Sequence, residues 1–189
     1  MIEEGLGIVV NAKAANINLR LLGAVAFRVH CPRHGRLFEL MDRSLSDLDF
    51  AGYSRERHAI EEFFERNGYV MDAESPMEAV LTGERLIFLR SDSLIHVDVF
   101  LDRLQMNHTI EFQGRLDLDY PTLPLAELVM EKLQIHEVTH KDVKDLAVVF
   151  REHDFGDSDS EKIDSMYIAR ILANDWGFYY TVMTNLAKC

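Results

Sequence analysis

Three aspartates in two short, strand-like segments constrain the fold of this chain more than any other feature. Asp47 and Asp49 alternate with apolar residues in 46–50, and Asp98 lies between two valines in 95–100. Successive residues of a β-strand point to opposite faces, so Asp47 and Asp49 share one face and their apolar neighbours share the other. If the two strands are neighbours in a sheet, the three carboxylates converge.

Three converging carboxylates repel one another, so cations are expected to neutralise them. Asp47, Asp49 and Asp98 offer only oxygen atoms as ligands, and hard ions such as Mg²⁺ take oxygen ligands. The pattern therefore predicts that these three residues bind magnesium.

Composition limits the class of protein. The 189 residues are 48% apolar and 28% charged, which is sufficient for the core of one compact domain. A net charge of -12 argues against broad binding to nucleic acid. One basic cluster between Arg28 and Arg43 is interpreted as a solvated loop or, alternatively, as a phosphate or RNA contact surface.

The chain is expected to be cytoplasmic and to have no membrane partner. Its apolar runs all fall short of the roughly 20 residues that cross a bilayer, and its first residues are acidic where a signal peptide is basic. Cys31 and Cys189 are the only cysteines, which fits a reducing compartment.

The spacing of apolar residues predicts an alternation of helices and strands in the first 120 residues. We expect an N-terminal amphipathic helix, helices at 24–31 and 55–67, strands at 20–22, 47–52, 85–90, 94–101 and 109–116, and a polar loop at 32–46. Ser54 is the expected N-cap of the helix at 55–67. A turn is expected at Ser91-Asp92-Ser93.

After residue 120 the pattern becomes entirely helical, with helices expected at 125–134, 141–152, 161–175 and 176–187. The chain is therefore predicted to have an α+β fold, with a mixed β-sheet flanked by helices in residues 1–120. Residues 121–189 are predicted to form a helical C-terminal unit that packs on this core as one globule.

The order of these elements resembles the DNA polymerase beta-type nucleotidyltransferase superfamily. The similarity includes the strand that ends at Gly23, the short helix after it, and the strands that bear the three aspartates. The segments 123–134 and 141–146 look like the helical half of the abortive-infection (AbiEii-like) toxin branch. The resemblance covers roughly residues 5–150.

The resemblance implies a nucleotidyltransferase fold and the transfer of NMP from an NTP to a hydroxyl group, with release of pyrophosphate. In that family the three acids bind two Mg²⁺ ions, which implies that Asp47, Asp49 and Asp98 are catalytic residues and metal ligands. The acceptor is RNA, a protein side chain or a small molecule. An antitoxin-like protein partner is also implied.

The resemblance further implies a set of nucleotide-binding residues: Gly23, Ala24, Ser46, Lys132, Asp142 and Asp145. Backbone N–H groups after Gly23 would meet phosphate oxygens at the start of a helix, and Lys132 would contact the triphosphate as a point charge. Asp142 and Asp145 would orient this lysine or the acceptor, although a solvated helix face explains them equally well.

Two alternatives stay open. The first is a catalytically inactive relative that binds only nucleotide or a partner. The second is a zinc metalloprotease, because His136, Glu137 and His140 match the His-Glu-x-x-His signature. Its third ligand would be Glu152, His153 or Glu161. A separate group with ligand chemistry, His30, Cys31 and His34, lacks a fourth ligand at sensible spacing, and no zinc is expected there.

Overall fold

The computed structural model describes residues 1–72, 84–90 and 95–189. Its helices are α1 (Ile2–Ala14), α2 (Gly23–His30), α3 (Gly35–Leu40), α4 (Arg57–Arg66), α5 (Leu125–Leu133), α6 (His140–Glu152), α7 (Ser165–Asn174) and α8 (Trp176–Leu186), with a short 3-10 helix at Ser54–Glu56. Its strands are β1 (Arg20–Leu22), β2 (Asp47–Gly52), β3 (Tyr69–Met71), β4 (Arg85–Arg90), β5 (His96–Leu101), β6 (Arg103–Gln105), β7 (Thr109–Glu111), β8 (Phe155–Gly156) and β9 (Ile163–Asp164). The turn predicted at Ser91-Asp92-Ser93 lies outside the described residues.

The chain divides into two compact units. The first contains Met1–Val25, Leu45–Leu104 and Glu111–Leu123, and the second contains Ala26–Ser44, Gln105–Ile110 and Pro124–Cys189. The helical C-terminal segment thus shares its unit with α3, which comes from the earlier part of the chain. Assigning residues 1–120 and 121–189 to separate parts stays a prediction.

A five-stranded sheet in the order β1-β2-β5-β4-β3 organises the first unit. β2 and β5 are parallel, and the other neighbouring strands are antiparallel, so the predicted mixed sheet is confirmed. Leu48 and Phe50 of β2 and Val97 and Val99 of β5 are fully buried. Their alternation with the aspartates therefore separates an apolar face of the sheet from an acidic one.

Helices α1 and α4 belong to the same unit as the sheet. Gly5 of α1 lies so close to Leu21 and Leu48 that a Cβ atom there would be 3.0 and 3.2 Å from their side chains. Phe64 of α4 stacks on Phe88 of β4 with ring centroids 4.6 Å apart. The missing side chain of Gly5 thus lets α1 approach the sheet closely, and the ring of Phe64 packs α4 against it.

The predicted capping role of Ser54 is wrong. Ser54 begins a 3-10 helix that precedes α4, and Glu56 occupies the N-cap position of α4. The backbone N–H of Ser54 instead donates to Asp102 Oδ1 at 3.0 Å. Asp102 thus accepts from the N–H of Ser54 itself, whereas an N-cap serine would accept from an N–H two or three residues further along the helix.

Three local predictions differ from the structure. The expected polar loop at 32–46 contains α3, because Phe38 is fully buried and the Arg28 guanidinium covers its ring at 4.1 Å from the centroid. The strand expected at 109–116 ends at Glu111. The helix expected from 161 starts at Ser165, since residues 163–164 form β9 and Asp164 then caps α7 by accepting from the Tyr167 N–H.

Helix α5 forms the centre of the second unit, because every one of its nine residues is buried.

Among the described residues, no helix combines the length and the apolar character needed to cross a lipid bilayer.

Glu152 at the end of α6 ties this helix to the segment after α2. Its carboxylate accepts from Arg33 Nε at 2.8 Å, from His34 Nδ1 at 2.6 Å and from the His34 backbone N–H at 2.9 Å. Burial alone raises the pKa of this carboxyl, but the hydrogen bonds from Arg33 and His34 outweigh burial and lower the pKa of Glu152 to about 2. Glu152 is therefore ionised in the folded protein.

We expect Glu152→Gln to lower the free energy of unfolding at pH 7 by roughly 2 kcal/mol, because hydrogen bonds to a charged group are lost. A carboxyl with a lowered folded pKa stabilises the protein above its unfolded pKa, and this stabilisation disappears as pH falls through the folded value. Urea unfolding between pH 7 and pH 2 should therefore show that the free energy of unfolding decreases less with falling pH in the variant than in wild type. Glu62→Gln, at an exposed Arg66 pair, is the control and should leave the pH profile unchanged.

Candidate functional site

The register of the two central strands brings the three predicted acids together. In the parallel pairing of β2 with β5, Asp49 is opposite Asp98, and Asp47 is opposite His96. Residues opposite each other in neighbouring strands share a face, and such strands lie about 4.8 Å apart. Asp47, two residues before Asp49, shares that face too. The register therefore places the three aspartates on one face of the sheet in the first unit.

Gly23 directly contacts this cluster. β1 pairs Leu22 with Asp49, and the chain then turns into α2 at Gly23 with φ +68°. A Cβ atom on Gly23 would overlap Asp49 Oδ2 and would lie 3.0 Å from Asp49 Cγ. Only glycine fits here, both for its backbone conformation and for the space that Asp49 leaves. Ala24, the next residue of α2, is buried.

Arg85 of β4 is a member of the cluster that sequence analysis did not identify. Its Nε donates to Asp98 Oδ1 at 3.0 Å, and its Nη2 lies 2.8 Å from Asp98 Oδ2, so the ion pair is bidentate. The antiparallel register places Ile87, not Arg85, opposite Asp98. Arg85 thus reaches Asp98 diagonally, from a position two residues along β4. The only sequence signal for this contact was the presence of an arginine at each end of the segment 85–90.

Ser46, at the edge of the cluster, is exposed. Its hydroxyl donates to Asp47 Oδ1 at 3.0 Å, which orients that carboxylate. Asp47, Asp49 and Asp98 offer only oxygen ligands, the kind that a hard cation takes, and their role as metal ligands stays a prediction.

The second unit brings the other predicted residues together around Lys132. Lys132 Nζ lies 2.9 Å from Glu131 Oε1 and 3.6 Å from Asp142 Oδ1, and only 8% of the residue is exposed. Burial favours the neutral amine, but the charges of Glu131, Asp145 and Asp142 outweigh it and raise the pKa of Lys132. The lysine is therefore charged.

Asp142 and Asp145 are buried, so their alternative interpretation as a solvated helix face is wrong. Asp142 closes a capping box with Thr139 at the start of α6. Asp145 accepts from Arg43 Nε at 2.9 Å and from Arg43 Nη2 at 2.8 Å. Burial raises the pKa of Asp145, and the Arg43 hydrogen bonds and the Lys132 charge counteract this effect in part.

The metalloprotease signature lacks the geometry that its chemistry requires. Both histidines of a His-Glu-x-x-His site project from one face of one helix. Here α6 begins at His140, while His136 and Glu137 precede it in an exposed turn. The prediction of zinc on this motif is therefore corrected, since no helix carries the pair.

Comparisons with known proteins give a likeness in fold and no match in sequence. No family model matches the sequence, and no curated protein matches it either. A solved structure with a similar fold is the antibiotic-resistance factor ANT(2'')-Ia, whose solution structure is described as revealing substrate-regulated conformation dynamics. The TM-score is 0.52 and the identity 11%, over 95% of this chain and 96% of that chain.

The fold is that of a nucleotidyltransferase. This confirms the predicted α+β class, with its mixed sheet flanked by helices and its helical C-terminal part. At 11% identity the likeness concerns the fold. Membership of the abortive-infection branch stays a prediction, as do the roles of the site residues.

We expect Gly23→Ala to destabilise the protein more than Gly68→Ala does. Both glycines have a positive φ, but only Gly23 has atoms within 4 Å of the position a Cβ would take. Gly68→Ala should cost about 1 kcal/mol for its left-handed backbone, and Gly23→Ala about 1–3 kcal/mol more for the overlap with Asp49. Urea unfolding of the two variants measures the difference. Equal losses would contradict the close approach of Gly23 to Asp49.

Proposed function

We propose that this protein is a magnesium-dependent nucleotidyltransferase that transfers NMP from an NTP to a hydroxyl group of an acceptor. The observation that carries the proposal is the pairing of Asp49 with Asp98, with Gly23 against Asp49, on a nucleotidyltransferase fold. In the reaction, the acceptor oxygen forms a bond to the α-phosphorus of the NTP. The bond to the bridging oxygen breaks, and pyrophosphate leaves.

Asp47, Asp49 and Asp98 are the residues that would hold Mg²⁺, because they supply an all-oxygen set of charged ligands. When bound, two magnesium ions neutralise the triphosphate and make the attacking hydroxyl more acidic. Asp98 would alternatively accept the hydroxyl proton itself, as a positioned carboxylate can. Arg85 forms an ion pair with Asp98.

The remaining residues are assigned to the nucleotide. Gly23 and Ala24 begin α2, and backbone N–H groups at a helix start bind phosphate oxygens. Ser46 holds Asp47 in place. Nucleotide-binding roles for Lys132, Asp142 and Asp145 of the second unit are a separate part of the hypothesis, supported by the charges of the two aspartates that keep the lysine protonated.

A cationic small molecule is the acceptor that we favour over RNA. The net charge of -12 attracts cations and repels a polyanion. The basic cluster is also largely occupied within its own unit, since Arg33 pairs with Glu152, Arg43 pairs with Asp145, and Arg28 covers Phe38. ANT(2'')-Ia, an antibiotic-resistance factor, has the same fold. A protein side chain is the other alternative acceptor. A cytoplasmic location and an antitoxin-like partner are further parts of the hypothesis that need separate tests.

An inactive relative that only binds nucleotide is the second candidate, and the Arg85 pair is the observation that favours it. Arg85 already contacts both carboxylate oxygens of Asp98. The two candidates differ in pyrophosphate release, which only the enzyme shows when NTP, Mg²⁺ and an acceptor are all present.

We expect Asp49→Asn to abolish the stabilisation that NTP and Mg²⁺ give together. A ligand at about a hundred times its dissociation constant raises the free energy of unfolding by roughly 2.7 kcal/mol. Thermal unfolding of wild type and variant, with each of the four NTPs and with or without Mg²⁺, measures this effect. Asp157→Asn, at an exposed aspartate of the second unit, is the control and should behave like wild type. An equal shift in Asp49→Asn would refute the site.

We expect Arg85→Gln to lower the free energy of unfolding without metal and to increase the affinity for Mg²⁺. The loss of a bidentate, partly exposed ion pair should cost roughly 1–3 kcal/mol. Asp98 then lacks its cation, so added Mg²⁺ should restore more stability than it gives to wild type. Arg66→Gln, which breaks an exposed pair with Glu62, is the control. If Mg²⁺ stabilises all three proteins equally, Arg85 does not compete with metal at Asp98.

A further inference from the structure

Two histidines and a glutamate meet at a cavity of the second unit that the proposed function does not use. The residues are His30 at the end of α2, His153 directly after α6, and Glu161 shortly before β9. Each offers one ligand atom, and these atoms all lie within 4.8 Å of one another. The same three residues line a cavity of about 360 Å³.

Both ring nitrogens of His153 face backbone carbonyl oxygens. Nε2 lies 2.8 Å from the His30 carbonyl oxygen, and Nδ1 lies 3.1 Å from the Glu161 carbonyl oxygen. A neutral imidazole has one N–H, so it can donate to only one of these two acceptors. If Nε2–H donates to His30, the lone pair of Nδ1 faces a second acceptor. A second proton or a metal ion at Nδ1 removes this conflict.

We propose that His30, His153 and Glu161 bind a zinc ion. Two imidazoles and one carboxylate are a set that Zn²⁺ takes with its fourth position open to water or a ligand. The bond from His153 Nε2 to a backbone carbonyl is the outer contact that fixes the ring of a metal-bound histidine. Imidazole ligands favour zinc over magnesium, so this site and the aspartate cluster differ in the metal that they select.

The neighbouring side chains are compatible with this ligand set. Glu152 also lines the cavity, but Arg33 and His34 already engage its carboxylate. Cys31 is buried, and burial together with the charges of Glu152 and Asp145 raises its pKa to about 12, so that its thiolate is not available. Among the cationic residues of the cavity, Arg33 is neutralised by Glu152, while Lys162 shares the lining with Asp154.

The expectation of no zinc at His30, Cys31 and His34 concerns that set of residues alone. His34 is bound to Glu152, and His30 instead meets two residues that lie more than 120 positions later in the chain. His153 and Glu161 had been considered as third ligands for the metalloprotease motif. The structure places them with a different histidine.

The experiment uses the full chain after removal of metal with a chelator. Zinc is added in competition with a chromophoric chelator, and Co²⁺ is added separately because its visible absorption reports tetrahedral coordination. We expect one equivalent of Zn²⁺ and a tetrahedral Co²⁺ spectrum for wild type. Glu161→Gln and His30→Gln should each weaken zinc binding more than about tenfold, since even outer contacts of metal ligands contribute that much.

The double variant His136→Ala/His140→Ala is the matched control, because it removes two exposed histidines outside the proposed site. It should bind zinc as wild type does. Far-UV circular dichroism tests whether each variant folds. Because Glu161 is exposed, Glu161→Gln is expected to fold and to test the site even if the buried His30 does not tolerate glutamine. The proposal is overturned if wild type binds no stoichiometric zinc, if Glu161→Gln retains full affinity, or if the double variant loses it.

Discussion

The parallel pairing of β2 with β5 is the interaction on which the candidate site depends. It places Asp49 beside Asp98 on one face of the sheet, while Leu48, Phe50, Val97 and Val99 fill the core on the other. A slip of one residue would bury the carboxylates and expose the apolar side chains. The hydrophobic effect on one face therefore holds like charges together on the other. Their repulsion is relieved locally, since Arg85 binds Asp98 with both arms of its guanidinium group.

Sequence analysis could predict what depends on local periodicity. The alternation in 47–50 and 97–99 was sufficient to predict two strands and the shared face of the acids, and the helical spacing after residue 124 was sufficient to predict α5, α6 and α8. Short elements were harder to predict from the sequence. α3 has six residues, and its main anchor is Phe38 beneath an arginine ten positions earlier. A contact of this kind leaves no periodic signal in so short a segment.

Partners distant in sequence were the other part that could not be predicted. Arg85 reaches Asp98 diagonally across an antiparallel pair, and Arg43 reaches Asp145 over a separation of 102 residues. A helix pattern shows that Asp142 and Asp145 share a face, but not that a neighbouring segment covers it. The same reasoning applies to His30, His153 and Glu161, which come from three separate segments of the chain. Charged residues at such positions look solvated until the tertiary structure supplies their counterions.

The missing side chain of Gly23 has a consequence for the comparison of related chains. Because a Cβ atom at this position would overlap the Asp49 carboxylate as it stands, the Asp49 side chain or the turn at Gly23 must shift in any chain that has a larger residue there. A relative that has replaced its glycine is therefore expected to move this carboxylate from its place beside Asp98 or to replace it. Loss of the glycine is thus a sequence marker of chains in which the three aspartates are rearranged.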